Sequence, residues 1–570
     1  MTAAGQVRLV DYLAAELGRT GARYVFGVGG ANIEDLYDAV HGTAGLVRGV
    51  VAKHEFSAAT MADGYARATR RIGVVAATSG GGAMNLVPGL AEAYASRVPL
   101  LALVGQPPTG LDGRGAFQDS SGKGGSFDAA DVFAPVSRFC ARVTEPESFA
   151  GLLARAIATA RSDPKGPAVL LLPKDVQQAL ITVPNTRVAA PAPTAERPDP
   201  SALDHALRLL HGADRVLLIA GEGVAAAGAR AELAEVAAGL GAWVAVSPDA
   251  KDVFDNRDPR FVGVAGVMGH PNVEDCLRRA DACLLVGTRL PLMARGGLDA
   301  ALHGTPVVCV DPEPPFVPGI ALRGNPRETL RTLTDRLERR PRVRPEHAGP
   351  RPLTVPRLDA AATSYADALT AIESALPEHA HVFVDAGNIG ASAIHLLPAP
   401  RDGRFVVAVG MGGMGYTFGA GIGAALATGR RTYVLAGDGA FFMHGMEVHT
   451  AIEYAAPVTF VILNNNAHAM CVTREELFQG GARAENVFRP SDIAAGAAAM
   501  FPALEVTRAR TAGGLRQALL RSNSSTGPAF VAMDFDHREV PPFLPFLAAP
   551  GQDSVHTEES TDDRGPLHVG

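Results

Sequence analysis

In the stretch Gly437–Met470, "GDGAFFMHGMEVHTAIEYAAPVTFVILNNNAHAM", an apolar run ends in Gly437-Asp438-Gly439, a helical segment follows, and the chain returns as the apolar strand "VTFVILNN". This is a βαβ unit, and in an open parallel sheet ligands gather at the carboxyl ends of the strands. Two such ends present Asp438 and Asn465. A carboxylate, an amide oxygen and a loop carbonyl near Ala467 make a hard oxygen set suited to Mg²⁺ holding phosphate groups. Gly437 and Gly439 let backbone N–H groups approach an anion at the start of the next helix. Glycine and asparagine are also ordinary turn residues, so the rest of the chain has to decide between a diphosphate site and a pair of turns.

The same alternation runs outward in both directions. "YVFGVGG", "IGVVAATSG", "PLLALVGQ" and "PAVLLLP" come first, then "RVLLIAGEG", "WVAVSP", "ACLLVGT" and "PVVCVDP", then "VFVDAG", "TYVLAGDG" and "PAFVAMDF". Apolar strands followed by glycine and then by Ala- and Leu-rich helices predict an α/β chain of doubly wound parallel sheets. Two aperiodic runs rich in Pro divide it, Thr182–Ala202 and Leu337–Ala362. Three domains are expected, at 1–182, 200–340 and 362–550. The polar tail 551–570 is expected to be disordered.

Composition narrows the classes. With 47% hydrophobic residues, 63 glycines and a formal charge of -7, the chain reads as a globular enzyme, and it has no basic face suited to nucleic acid. Five scattered cysteines without a C-x-x-C fit a reducing cytoplasm and no structural zinc. No apolar run is long and uncharged enough for a membrane span, and the N-terminus lacks the pattern of an export signal.

The GDG, apolar strand and NN of Asp438–Asn465 resemble the thiamine-diphosphate (ThDP) motif. A second element of that superfamily is present in "VVAKHEFSAATMADGYARAT", where Glu55 opens a helix and Ala62–Arg67 read ADGYAR. The resemblance covers the whole chain and is nearest to the acetohydroxyacid (acetolactate) synthase branch, through "ATSGGGAMNLVPGLAEAYASRVPLLALVGQ", "GAFQD" (Gly115–Asp119), "PKDVQ" (Pro173–Gln177) and "GMGGMG" (Gly410–Gly415).

That resemblance implies ThDP and Mg²⁺ as cofactors, with Asp438, Asn465 and the carbonyl of Ala467 on the metal. Glu55 would share a proton with the aminopyrimidine ring. Gly412 would meet the ring's amino group, and Met414 would wedge the cofactor into its bent shape. Gly30, Phe117 and Gln118 would face the reacting carbon. Asn85, Asn388, Gly437, Gly439, Ala440, His468 and Met470 would complete the cofactor site. Relatives build each site across a subunit contact, so a homodimer or homotetramer is expected.

The implied reaction is carboligation: a 2-oxo acid donor, pyruvate, loses CO₂ and its acyl unit adds to a second carbonyl acceptor. The adjacent histidines of the simple decarboxylases are missing from "GRGAFQDSSGKGGSF", and their further glutamate is Cys471 here. The chain also departs from the acetolactate pattern. Met293 of "GTRLPLMARGG" stands where that branch has its carboxylate-binding arginine, with Arg289 and Arg295 nearby, and Arg474 replaces a tryptophan. Lys174 would lie on the substrate approach. These departures imply a different acceptor.

Three readings stay open at this point. A decarboxylase without ligation shares most of the motifs. A non-catalytic relative would keep the fold, although Glu55, Asp438 and Asn465 are intact. A dinucleotide-dependent oxidoreductase would use Gly410, Gly412 and Gly415 of "VAVGMGGMGYTFGAGIGAALATG" (Val407–Gly429) as G-x-G-x-x-G. The turn of "LLIAGEGVAAAG" in the central domain is a further candidate seat for FAD.

Overall fold

Three strands, Leu100–Gln106, Pro167–Pro173 and Val458–Asn464, are buried at every position, as a largely apolar run must be when helices cover both faces of its sheet. In the computed structural model, which describes residues 6–183, 197–337, 349–356, 358, 363–481 and 484–547, such strands form three parallel six-stranded sheets. The expected tail at 551–570 and most of the two Pro-rich runs lie outside the described residues.

The first sheet runs in the spatial order Arg48–Val51, Tyr24–Gly27, Gly73–Ala77, Leu100–Gln106, Pro167–Pro173, Phe139–Arg142. The third repeats this order with Phe405–Val407, His381–Val384, Thr432–Gly437, Val458–Asn464, Ala529–Asp534 and Glu505–Ala509. The two outer sheets thus share one topology. The central sheet differs: Phe261–Val264, Trp243–Val246, Val216–Ala220, Ala282–Val286, Val307–Asp311 and Ile320–Arg323 give the order 3-2-1-4-5-6 of a dinucleotide-binding fold.

The outer domains meet through two helices, Glu55–Thr69 and Tyr416–Thr428. Gly64, Gly419 and Gly423 bring the backbones together: a Cβ on Gly64 would lie 2.0 Å from the Ala420 carbonyl oxygen, and one on Gly423 2.0 Å from that of Met61. The glycines after "GMGGMG" therefore serve helix packing between domains.

A buried ionic network ties in the central domain. Arg404 donates to Asp252 at 2.5 Å, to Glu222 at 2.6 Å and to the Arg67 carbonyl. Arg67 donates to Asp63 at 2.7 Å, and Tyr416 to the same carboxylate oxygen. Part of the second Pro-rich run is also anchored. Gly349 O accepts from Asn272, and Leu353 N donates to His395 Nε2 at 2.9 Å. Among the described residues no helix is long and apolar enough to cross a membrane.

Candidate active site

Glu55 is the first residue of its helix, with His54 as N-cap accepting from Phe56 N. Its side chain is 9% exposed, and Oε2 accepts a 2.9 Å bond from Asn85 Nδ2. Gly82 leaves it room, since a Cβ there would lie 2.9 Å from Glu55 Oε1. Asn85 thus engages the glutamate directly. Gly30 likewise leaves room for Thr78, since its Cβ would fall 2.7 Å from that of Thr78. Phe117 is 78% exposed, and Gln118 beside it adopts a φ of +61°.

On the third sheet, Gly437 caps the helix Asp438–His444, whose first residues Asp438, Gly439 and Ala440 are buried. Asp438 Oδ1 accepts from Asn465 N at 3.2 Å, while Oδ2 is buried without a hydrogen-bond partner. Burial raises the Asp438 pKa, and the bonds from Asn465 and Ala467 oppose this. The Asn465 amide is oriented at both ends: Nδ2 donates to Tyr365 Oη at 3.1 Å, and Oδ1 accepts from Ala467 N at 3.0 Å. Asn388 opens its own helix, donates to the Glu539 carbonyl, and keeps a buried Oδ1 without a partner. Two buried oxygens left unpaired at one strand-end cluster are what a cation and the ligand it holds would satisfy. The residues fit Mg²⁺ and a diphosphate. Tyr365 carries no motif, and its part in orienting Asn465 is not signalled in the sequence.

Met414 and His468 crowd Gly439: a Cβ there would lie 2.9 Å from Met414 Cε and 3.0 Å from His468 Cδ2. His468 packs edge-on against Phe488, and Met470 lies near the start of the helix Ala469–Phe478. Gly412 is exposed, with a φ of +65°.

The same loop settles what its glycines do not do. Asp385, fully buried at the end of the strand His381–Val384, accepts from Gly415 N at 3.0 Å and from Thr417 N and Oγ1. Glu92 accepts from Gly410 N at 3.2 Å and Met411 N at 2.6 Å. Four of the loop's amides, those of Gly410, Met411, Gly415 and Thr417, are thus bonded to the protein's own carboxylates rather than open to a dinucleotide phosphate. The central-domain turn is similarly engaged, with Gly221 N, Gly223 N and Val224 N bonded to Val286 O, Gly287 O and Gly221 O.

The candidate substrate cations are mostly paired. Lys174 Nζ bonds Glu34 at 2.7 Å and Ala31 O at 2.6 Å. Arg295 pairs with Asp299 at 2.7 Å. Arg289 lies over Phe316, donates to Pro314 O at 2.7 Å and sits 3.7 Å from Glu313. Arg474 is exposed on its helix, with Nη1 3.9 Å from Cys471 Sγ.

The chain matches the thiamine pyrophosphate enzyme N-terminal TPP binding domain over 7–124, the central domain over 203–333 and the C-terminal TPP binding domain over 385–533. It is 31% identical to an acetolactate synthase of Arthrospira platensis, covering 83% of this chain and 84% of that one. It is 27% identical to the acetolactate synthase isozyme 3 large subunit of Escherichia coli K12, over 82% and 83%. The crystal structure of benzoylformate decarboxylase from Polynucleobacter necessarius shares the fold, with a TM-score of 0.80 at 22% identity over 94% of this chain and 100% of that one. The chain belongs to the thiamine pyrophosphate enzyme family, in its acetolactate synthase-like branch. It is a ThDP-dependent enzyme.

Proposed function

We infer that this enzyme is a Mg²⁺-dependent carboligase that decarboxylates a 2-oxo acid, pyruvate, and joins the acyl unit to a second carbonyl compound. When bound, the thiazolium of ThDP supplies the electron sink that lets a 2-oxo acid lose CO₂. Asp438, Asn465 and the Ala467 carbonyl would hold the metal, with Asn388 near the diphosphate. Glu55, held at one oxygen by Asn85, would keep a proton at Oε1 for the aminopyrimidine. Gly412 and Met414 would shape the cofactor's seat.

The observation that carries ligation over simple decarboxylation is the state of Asp119, the one acid of the GAFQD loop. Its carboxylate accepts from Gly113 N at 2.9 Å and Ser121 N at 3.0 Å, and it stays below the ordinary carboxylate range, burial opposing the bonds from Ser121 and Gly113. Committed to the backbone as an anion, it is a poor proton donor. The loop then offers the reacting face an amide and an aromatic ring, Gln118 and Phe117, which suit holding a carbonyl better than quenching a carbanion. The pairing of Arg289, Arg295 and Lys174 supports an acceptor other than a second 2-oxo acid. Decarboxylation and ligation together are redox-neutral, so the reading needs no flavin.

A site shared between two copies is supported by what lies beside the Asp438–Asn465 cluster. Phe442, Met443 and Met446 leave an apolar surface exposed beside that cluster. We read the enzyme as a homodimer or homotetramer.

The test is pyruvate consumption with CO₂ release, measured with ThDP and Mg²⁺ against a panel of ketone and aldehyde acceptors. Acceptor-dependent formation of a ligated product is expected. Release of CO₂ with free aldehyde and no ligation would favour the decarboxylase reading.

A further inference from the structure

Gln118 is held in two ways. Its backbone lies in the left-handed region, uncommon for a residue with a side chain. Gly80, itself at a φ of +64°, makes room for it, since a Cβ there would lie 2.9 Å from both Cβ and Cγ of Gln118. The carboxamide is then gripped at its oxygen, where Oε1 accepts from Thr78 Oγ1 and Ser79 Oγ, each at 3.3 Å.

The direction of these bonds follows from a third residue. Asn32 donates twice, from Nδ2 to Ser79 Oγ at 2.7 Å and from its backbone N to Thr78 Oγ1 at 3.4 Å. Asn32 is itself anchored, its carbonyl accepting from Gln177 Nε2 at 2.8 Å. Both hydroxyl oxygens already accept a hydrogen bond, so both hydroxyl protons are free to be donated onward. They point the Gln118 oxygen inward and leave its Nε2 hydrogens outward. Ser79 is fully buried, Thr78 and Asn32 are buried, and Gln118 is half-buried. The polarity of the exposed end is therefore set from the interior.

We propose that Ser79, with Thr78, is a positioning residue that fixes the Gln118 carboxamide so that its N–H donates to the acceptor's carbonyl oxygen. The proposal rests on the carboligase reading. As the new carbon–carbon bond forms, the carbonyl's π electron pair moves onto its oxygen, and a donor already aimed there stabilises it until it takes a proton from water. A flipped amide would present a lone pair to the same oxygen and repel it. Fixing the flip in advance spares the site that reorganisation.

The test is a double-mutant cycle on the ThDP- and Mg²⁺-loaded enzyme, with saturating pyruvate and acceptor. Ser79→Ala is expected to lower kcat for ligation by about 10-fold or more while ThDP affinity stays near wild type, with a lower unfolding midpoint because the buried Asn32 amide loses its acceptor. The variant carrying both Ser79→Ala and Gln118→Ala is expected to be no slower than Gln118→Ala alone, because Ser79 acts through Gln118. Ser79→Thr is expected to restore the rate. If Ser79→Ala fails to fold, Thr78→Val carries the same comparison. Losses that multiply in the double variant, or a Ser79→Ala enzyme that ligates at the wild-type rate, would overturn the proposal alone. A wild-type enzyme that binds ThDP and ligates no acceptor would overturn the carboligase reading and this proposal with it.

Discussion

Glu55 and Asn85 form a 2.9 Å hydrogen bond from the asparagine amide to one carboxylate oxygen, while the other oxygen lies against Gly82, where a Cβ would come within 2.9 Å of it. The pair separates two tasks that one carboxylate has to perform. Asn85 fixes the orientation of the group, and the second oxygen would be left for the proton that the proposed role requires.

Glu55→Gln keeps the shape, and its amide oxygen can still accept from Asn85, but the transferable carboxyl proton is gone. Turnover is expected to fall by about 10²- to 10⁴-fold, the range for loss of a positioned acid or base, with ThDP affinity and unfolding midpoint close to wild type. Steady-state kinetics beside calorimetric titration checks this, and full activity in the variant would refute the role.

Asp438→Ala should act the other way. It removes a buried carboxylate whose Oδ2 is unpaired, so Mg²⁺-dependent binding of ThDP is expected to disappear while the fold survives. Calorimetry with and without Mg²⁺ reads the difference. Equal ThDP affinity in the variant would remove Asp438 from the metal site.

The close helix pair offers a test of the fold. Gly64→Ala places a Cβ where the Ala420 carbonyl now sits, 2.0 Å away, and the helices must part. Overpacking of this kind costs about 1–3 kcal/mol, and more where backbone has to move. Denaturant unfolding is expected to show a lower midpoint, whereas Gly151→Ala, with open space around its added Cβ, should leave the midpoint near wild type.

Acid should weaken the junction between the central and third domains. His395 stacks on His270 at 4.2 Å, accepts from Leu353 N at Nε2 and contacts Met268 O through Nδ1, which requires the neutral ring. Burial, opposed by the Met268 carbonyl and aided by nearby Lys251, pushes its pKa down to about 4 from the ordinary 6.5. Between those values the unfolded chain binds more protons than the folded one, so stability rises with pH through this window and is lost as pH falls through it. The unfolding midpoint is expected to drop between about pH 7 and pH 5, and His395→Gln should flatten part of that slope. An unchanged slope would contradict the assignment.

Much of this was legible in the residues because the signals are local. An apolar run followed by glycine and a polar residue marks both a strand and a candidate site at its end, which is how Asp438 and Asn465 stand out. The glycine loop was ambiguous for the same reason, since spacing alone cannot tell which groups bond its amides. Asp385 and Glu92 answer that, and they lie far from the loop in sequence, at the end of one strand and on a helix of another domain. The VFVDAG run offered a hint by ending a strand in a carboxylate. Tyr365, the Arg404 network and the orientation of Gln118 depend on contacts between distant segments, and no periodicity or motif reports them.

The central claim is that the acyl unit released with CO₂ is transferred rather than protonated. The most direct measurement is the carbon balance of the wild-type enzyme with labelled pyruvate, ThDP, Mg²⁺ and a saturating carbonyl acceptor, following CO₂, free acetaldehyde and ligated product together. The account predicts that ligated product rises in step with CO₂ while acetaldehyde stays minor. Acetaldehyde rising in step with CO₂ across every acceptor would contradict it.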